Sequence, residues 1–181
     1  MSLTDEERSI LVKLEYEKGA TFMEQAEKIA ELGYWDMVAN RLYYAVFHAV
    51  TALLISDGHK VGTHKGVVLL FGQHYIKTGV FSITEGRLYS QLQTMREKAD
   101  YVCTFQTSQE EIVPMLVPAK EMIKKGIEEF VPQGYKIGLE TQNPDNVGFY
   151  EKLGFKVIKE EFYKLEKIHN YYMVYAPEDK E

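Results

Sequence analysis

From Trp35 to Ser56 the chain is apolar on nearly every helical face. A helix that is apolar all round is a buried one, so this stretch predicts the central helix of a bundle. Start and stop signals place other helices around it. Thr4 with Glu7 is a capping box that opens a first helix, and Gly33 can close it. Asp57-Gly58 stops the second helix, and Thr63 opens a third that runs to Thr78-Gly79. Ser82 with Glu85 opens a fourth, running to about Val102, and Thr107 with Glu110 opens a fifth that reaches Phe130. Pro114 and Pro118 fall inside the fifth helix, where a missing N–H and a ring clash are expected to kink or split it.

Beyond Phe130 the periodicity changes. Val131-Pro132-Gln133-Gly134 reads as a junction. Tyr135 to Thr141 is a short strand, Asn143-Pro144 an N-cap and first helical residue, and Gly154 the end of a helix that runs to Leu153. Phe155 to Leu165 and Asn170 to Tyr175 form a hairpin rich in aromatic and β-branched residues. The fold class is therefore α+β and mainly α: an antiparallel helical bundle over residues 1–131, then a small β-α-β-β unit over 132–181. The tail is small for independent stability. It is expected to bury Phe149, Phe155 and Tyr172 against the bundle or a second copy.

Two polar residues interrupt the apolar second helix. Arg41 and His48 stand seven apart in the sequence, close to two turns, so they share a face about 10 Å apart along the axis. Buried arginine and imidazole groups need partners or a purpose. One reading is a polar network inside the fold, with Arg41 paired to Asp100 or Asp36. The other is a site. A histidine can move a proton to or from a ribose or leaving oxygen, and a guanidinium can hold a phosphate in two-point contact. Tyr44 and His64 are supporting candidates, His64 at a helix start; His59 and His74 are expected to be solvated.

Composition narrows the functions. The net charge of −6 argues against sequence-blind DNA duplex binding. Cys103 is the one cysteine, and the amino terminus MSLTDEERS is acidic, so a cytoplasmic location is expected. The longest apolar run, near Val46 to Ile55, is broken by His48 and Thr51, and no membrane span is expected. No set of histidines and carboxylates has metal-ligand spacing, so neither a metal nor a cofactor is expected.

The string RLYYAVFHAVTALL, followed by Thr63-His64-Lys65-Gly66-Val67 and by Arg96 through Ala99-Asp100-Tyr101, resembles the HEPN domain family. The resemblance covers about the first 130 residues. It implies a helical bundle that dimerises, with Arg41 and His48 catalytic and Tyr44, His64 and Asp100 supporting. It also implies metal-independent cleavage of RNA, and a toxin role opposed by a nucleotidyltransferase-type antitoxin. Two positions depart from the pattern of active members: Leu42 stands where a small polar residue often follows the Arg, and Val50 where some toxins carry Tyr. A non-catalytic module that binds a nucleotide or that partner enzyme is the alternative.

The tail carries a second resemblance. Leu139 to Val147 and the string FYEKLGF from Phe149 resemble the carboxy-terminal part of a GNAT acetyltransferase. In that family Asn146 would lie near the coenzyme and Tyr150 would protonate the departing thiolate. The Gly-rich turn that holds acetyl-CoA pyrophosphate has no counterpart before Tyr135, so this pair is expected to be vestigial. A relic acetyltransferase, or one completed by another chain, is the remaining alternative.

Overall fold

The computed structural model describes residues 3–130, 138–152, 154–163 and 167–175. Contacts divide the chain into two compact units, residues 1–130 and 131–181. The first unit is α1 (Asp5–Ala30), α2 (Trp35–Ser56), α3 (His64–Phe71), α4 (Ile83–Tyr101) and α5 (Gln109–Phe130). α2 touches all four of the others, which accounts for its apolar circumference. It is long and apolar enough to cross a membrane, yet most of it is buried inside the bundle. Each large side chain buried there, such as Leu42, Leu53 or Leu54, contributes about 1.5–3 kcal/mol of hydrophobic stabilisation.

The capping boxes at Thr4–Glu7 and Ser82–Glu85 form as the sequence predicts, and Thr63 caps α3 through the N–H of Gly66. Three details differ. The box of α5 lies one residue later than expected: Ser108 and Glu111 form it, not Thr107 and Glu110. The Thr107 N–H is held instead by the Asp36 carboxylate at 2.6 Å, at the start of α2. That bond fixes Thr107 and passes the capping role to its neighbour. The expected split of α5 is absent, for the helix continues through both prolines. Pro114 and Pro118 lie on its exposed side, as does Glu110, so water can take the carbonyl bonds that the rings remove. Finally, α3 does not run as one α-helix to Gly79. It passes at Gly72 into a π-helical turn that ends at Ile76, for which the sequence carries no signal.

α1 approaches α2 closely at Gly19. A Cβ there would lie 3.0 Å from the carbonyl oxygen of Ala45 and 3.2 Å from the amide nitrogen of Ala49. Both are backbone atoms inside α2, so neither can move alone. Glycine removes the obstruction, and alanines at the two facing positions keep the seam shallow.

The second unit is β1 (Gly138–Thr141), α6 (Pro144–Lys152), β2 (Phe155–Tyr163) and β3 (Ile168–Tyr175). Its three strands are antiparallel in the order β1-β3-β2, with Thr141 opposite Tyr171 and Phe155 opposite Tyr175. Asn143 caps α6 through the N–H of Asp145 at 3.0 Å. Phe155 is buried against Tyr150 and Tyr175, whereas Tyr172 is only half-buried. The junction at Val131-Pro132-Gln133-Gly134, the strand start at Tyr135, Leu153, Leu165 and the side chain of Phe149 lie outside the described residues.

Gly19→Ala separates packing from helix propensity. Propensity alone predicts a gain of about 1 kcal/mol for Ala over Gly. The backbone contact at Ala45 predicts a net loss of about 1–3 kcal/mol, the usual cost of overpacking. Urea unfolding of the two proteins decides between the signs.

Candidate functional site

The site is built where α1 crosses α2 around Gly19. Glu15, Gly19 and Phe22 follow one another at helical spacing on α1, as Arg41, Ala45 and His48 do on α2. The helices run antiparallel, so Glu15 meets His48 and Phe22 reaches Arg41. The Glu15 Oε2 lies 2.6 Å from His48 Nδ1. The histidine side chain is 9% exposed and the carboxylate 27%. The Phe22 ring stacks on His48 at 5.5 Å, nearly parallel, and the Arg41 guanidinium lies 5.3 Å from the centroid of the same ring. Arg41 and His48 thus share a face, with one phenyl ring touching both.

A carboxylate at Nδ1 has a chemical consequence. It accepts the Nδ1 proton, fixes the ring orientation and leaves Nε2 to take up or release a proton. Arg41 has no hydrogen bond or ion pair among the described residues. The expected pairing to Asp100 or Asp36 is therefore corrected. Asp100 binds Arg96 Nε at 3.1 Å, and Asp36 is occupied by the Thr107 amide. Arg41 keeps its donors for something else.

A second group of residues adjoins this pair. Tyr44 stacks on Phe22 at 5.5 Å and accepts a hydrogen bond from Arg96 Nη2 at 2.9 Å. His64 stacks on Phe47 at 4.3 Å, and its Nδ1 lies 2.7 Å from the Tyr43 hydroxyl. The Tyr44 ring is 5.9 Å from His64 and 6.2 Å from His48, so it connects the two imidazoles. Burial, then the neighbouring Arg96 and His48, lower the His64 pKa below its usual value, although the residue is largely exposed. Burial raises the Tyr43 hydroxyl to about 12. Tyr43 therefore keeps its proton, and its hydroxyl shares one hydrogen bond with His64 Nδ1.

Arg41, His48, Tyr44 and His64 thus come together, while Asp100 enters through Arg96. His59 and His74 are not solvated as expected. They are half-buried, with ring centroids 4.0 Å apart. In the tail, Tyr150 is buried against Phe155, and Asn146 donates to Thr141 Oγ1 at 3.3 Å. Among the described residues no group of three or more His, Cys, Asp or Glu side chains is placed to hold a metal ion.

Sequence reasoning missed Glu15 and Phe22, which lie on another helix. It also missed Phe47, and it did not foresee the bond between Arg96 and Tyr44. One signal was available. A glycine inside a helical pattern marks a close approach of another backbone, and Glu15 and Phe22 lie one turn to either side of Gly19.

Comparison with known proteins identifies the helical unit. The family model of the HEPN domain matches residues 12–130. A protein of Methanocaldococcus jannaschii that carries the name "Putative toxin" is 34% identical over 101 residues, covering 54% of this chain and 74% of its own. A second protein of that organism and name is 28% identical over 95 residues, covering 52% of this chain and 65% of its own. A UPF0332 protein of Archaeoglobus fulgidus is 26% identical over 114 residues, covering 63% of this chain and 90% of its own. The match spans most of the bundle, and it includes the helices that carry Glu15, Arg41, His48, His64 and Arg96. The chain belongs to the HEPN domain family.

Proposed function

We propose that the bundle is a metal-independent RNA endonuclease with a toxin-like role, working from a site that two copies of the chain complete. The observation that carries this reading is the 2.6 Å contact between Glu15 and His48 Nδ1, beside an Arg41 that has no acidic partner among the described residues. In the reaction, His48 Nε2 takes the proton of a ribose 2′-hydroxyl, and that oxygen attacks the adjacent phosphorus. The bond to the 5′-oxygen breaks, and this oxygen leaves with a proton from a second imidazole. The products are a 2′,3′-cyclic phosphate and a 5′-hydroxyl. Arg41 binds the phosphate as its negative charge concentrates.

One imidazole does not readily serve as base and acid in the same step. His64 is a poor second proton carrier near neutrality, since its lowered pKa keeps it uncharged. It serves better as an Nε2–H donor to the nucleotide. The second acid then comes from His48 of another copy, across a two-fold axis beside α2. Phe22, Tyr44 and Phe47, all half-buried, offer ring faces on which unpaired bases can stack. The toxin names of the two relatives support a toxin role, opposed by a nucleotidyltransferase-type antitoxin.

A second reading is favoured by Leu42, which stands where a small polar residue often follows the Arg: a non-catalytic module that holds a nucleotide. The tail is proposed as a packing unit that does not bind acetyl-CoA, because Tyr150 is committed to the core of its small sheet.

RNA digestion in EDTA by the wild type and by His48→Ala tests the main reading. Cleavage that persists in the chelator, ends in a cyclic phosphate and falls about a hundredfold or more in the variant is expected. Activity that returns only with magnesium, or that survives His48→Ala, contradicts it. Tight nucleotide binding without cleavage favours the second reading.

The state of His64 is checked by titration of its ring resonances. A midpoint below 6.5 is expected, moving upward in Arg96→Met once that positive charge is gone. A group whose folded pKa is depressed takes up its proton more readily when unfolded. Its contribution to stability is present above pH 6.5 and declines as the pH falls below it.

Calorimetry of the whole chain with acetyl-CoA is expected to show no binding. Tight one-to-one binding would restore the acetyltransferase reading.

A further inference from the structure

A groove of about 830 Å³ lies along α4, inside the helical unit. Its lining takes residues of α4 from Ile83 to Lys98 at spacings of three and four, which is one continuous helical face. At a rise of 1.5 Å per residue that face is about 22 Å long. Its middle is floored by the small residues Gly86, Ser90 and Thr94. Ile76 closes on Gly86 near one end, and Phe105 lies beneath Lys98 at the other. Phe71, Met95 and Met115 add apolar lining.

Shape and charge narrow the occupant. The groove's length of about 22 Å and its largely apolar lining suit one elongated apolar chain. Two cations, Arg87 and Lys98, belong to the lining, and neither has an ion-pair partner among the described residues. The lining carboxylate, Glu111, already accepts the Ser108 N–H in the cap of α5. In a chain of net charge −6, two unpaired cations beside an apolar groove favour an anion attached to an apolar body.

The floor has a further peculiarity. Tyr89 lines the groove and is fully buried, and its hydroxyl has no hydrogen-bond partner among the described residues. An unsatisfied buried hydroxyl is costly. The same ring stacks on Tyr43 at 6.1 Å, and Tyr43 is bonded to His64. The groove thus adjoins the Arg41–His48 site without sharing its residues.

We infer that this groove binds a free, elongated carboxylate, with its chain along Gly86, Ser90 and Thr94 and its anionic head at Lys98. The site is independent of the proposed RNA cleavage.

Calorimetry of the full chain with decanoate below its micellar range, beside decylamine, tests the inference. One-to-one binding of decanoate is expected, with decylamine at least tenfold weaker. Lys98→Gln should weaken decanoate about tenfold, the scale of one lost hydrogen bond to a charged group. Thr94→Trp should fill the groove and abolish binding. Circular dichroism confirms that the variant folds, and Ser90→Leu blocks the neighbouring turn should it not. Equal binding of the amine, no binding at millimolar decanoate, or undiminished binding in the filled variants overturns the inference. So does a change of oligomeric state in Thr94→Trp with no decanoate binding in the wild type, which would assign the groove to a second copy.

Discussion

The close passage of α1 over α2 at Gly19 sets the other distances in the bundle's polar site. With the Ala45 carbonyl 3.0 Å from where a Cβ would stand, the seam leaves no room for a side chain at position 19. That approach lets the short side chain of Glu15 span the seam to His48. It also slides the Phe22 ring between Arg41 and His48. A seam wider by one methyl group would break the carboxylate–imidazole contact first, since a hydrogen bond fades within a few tenths of an ångström.

The seam also shows how polar groups are accommodated on the most apolar helix. A buried imidazole without a partner would cost several kcal/mol. Glu15 meets that need from the edge of the bundle, where it remains partly hydrated. Arg41 takes another course: it rests on a ring face and keeps its hydrogen-bonding capacity unspent. Arg96, by contrast, is engaged by both Tyr44 and Asp100. Two arginines beside one aromatic cluster thus have different roles, one fixed in the wall and one open to an anion. This asymmetry supports the proposed site over a purely structural network.

Much of the helical unit was legible in the sequence because its signals are local. Thr4–Glu7, Ser82–Glu85 and the apolar run of α2 each state a boundary or a burial within a few residues. The errors arose where a distant residue intervened. Thr107 lost its capping role to Ser108 because Asp36, on another helix, holds its amide. The reading that pairs Arg41 with Asp100 fails for a local reason, for Asp100 has a nearer arginine one turn away. The shared face of Arg41 and His48 followed from spacing alone, but Glu15 and Phe22 did not, since helix pairing is not written in any single segment. The two prolines of α5 were read correctly for what they remove, but they do not split the helix, because exposure to water was not foreseeable.

The most direct test of the account is the tautomer of His48, read from long-range proton–nitrogen correlations of the imidazole at a pH where it is neutral. With Glu15 as acceptor, the proton lies on Nδ1 and Nε2 shows a free lone pair; in Glu15→Gln this preference weakens or reverses. A proton fixed on Nε2 in the wild type, unchanged by Glu15→Gln, would contradict the account, because the nitrogen assigned to proton transfer would then lack its lone pair.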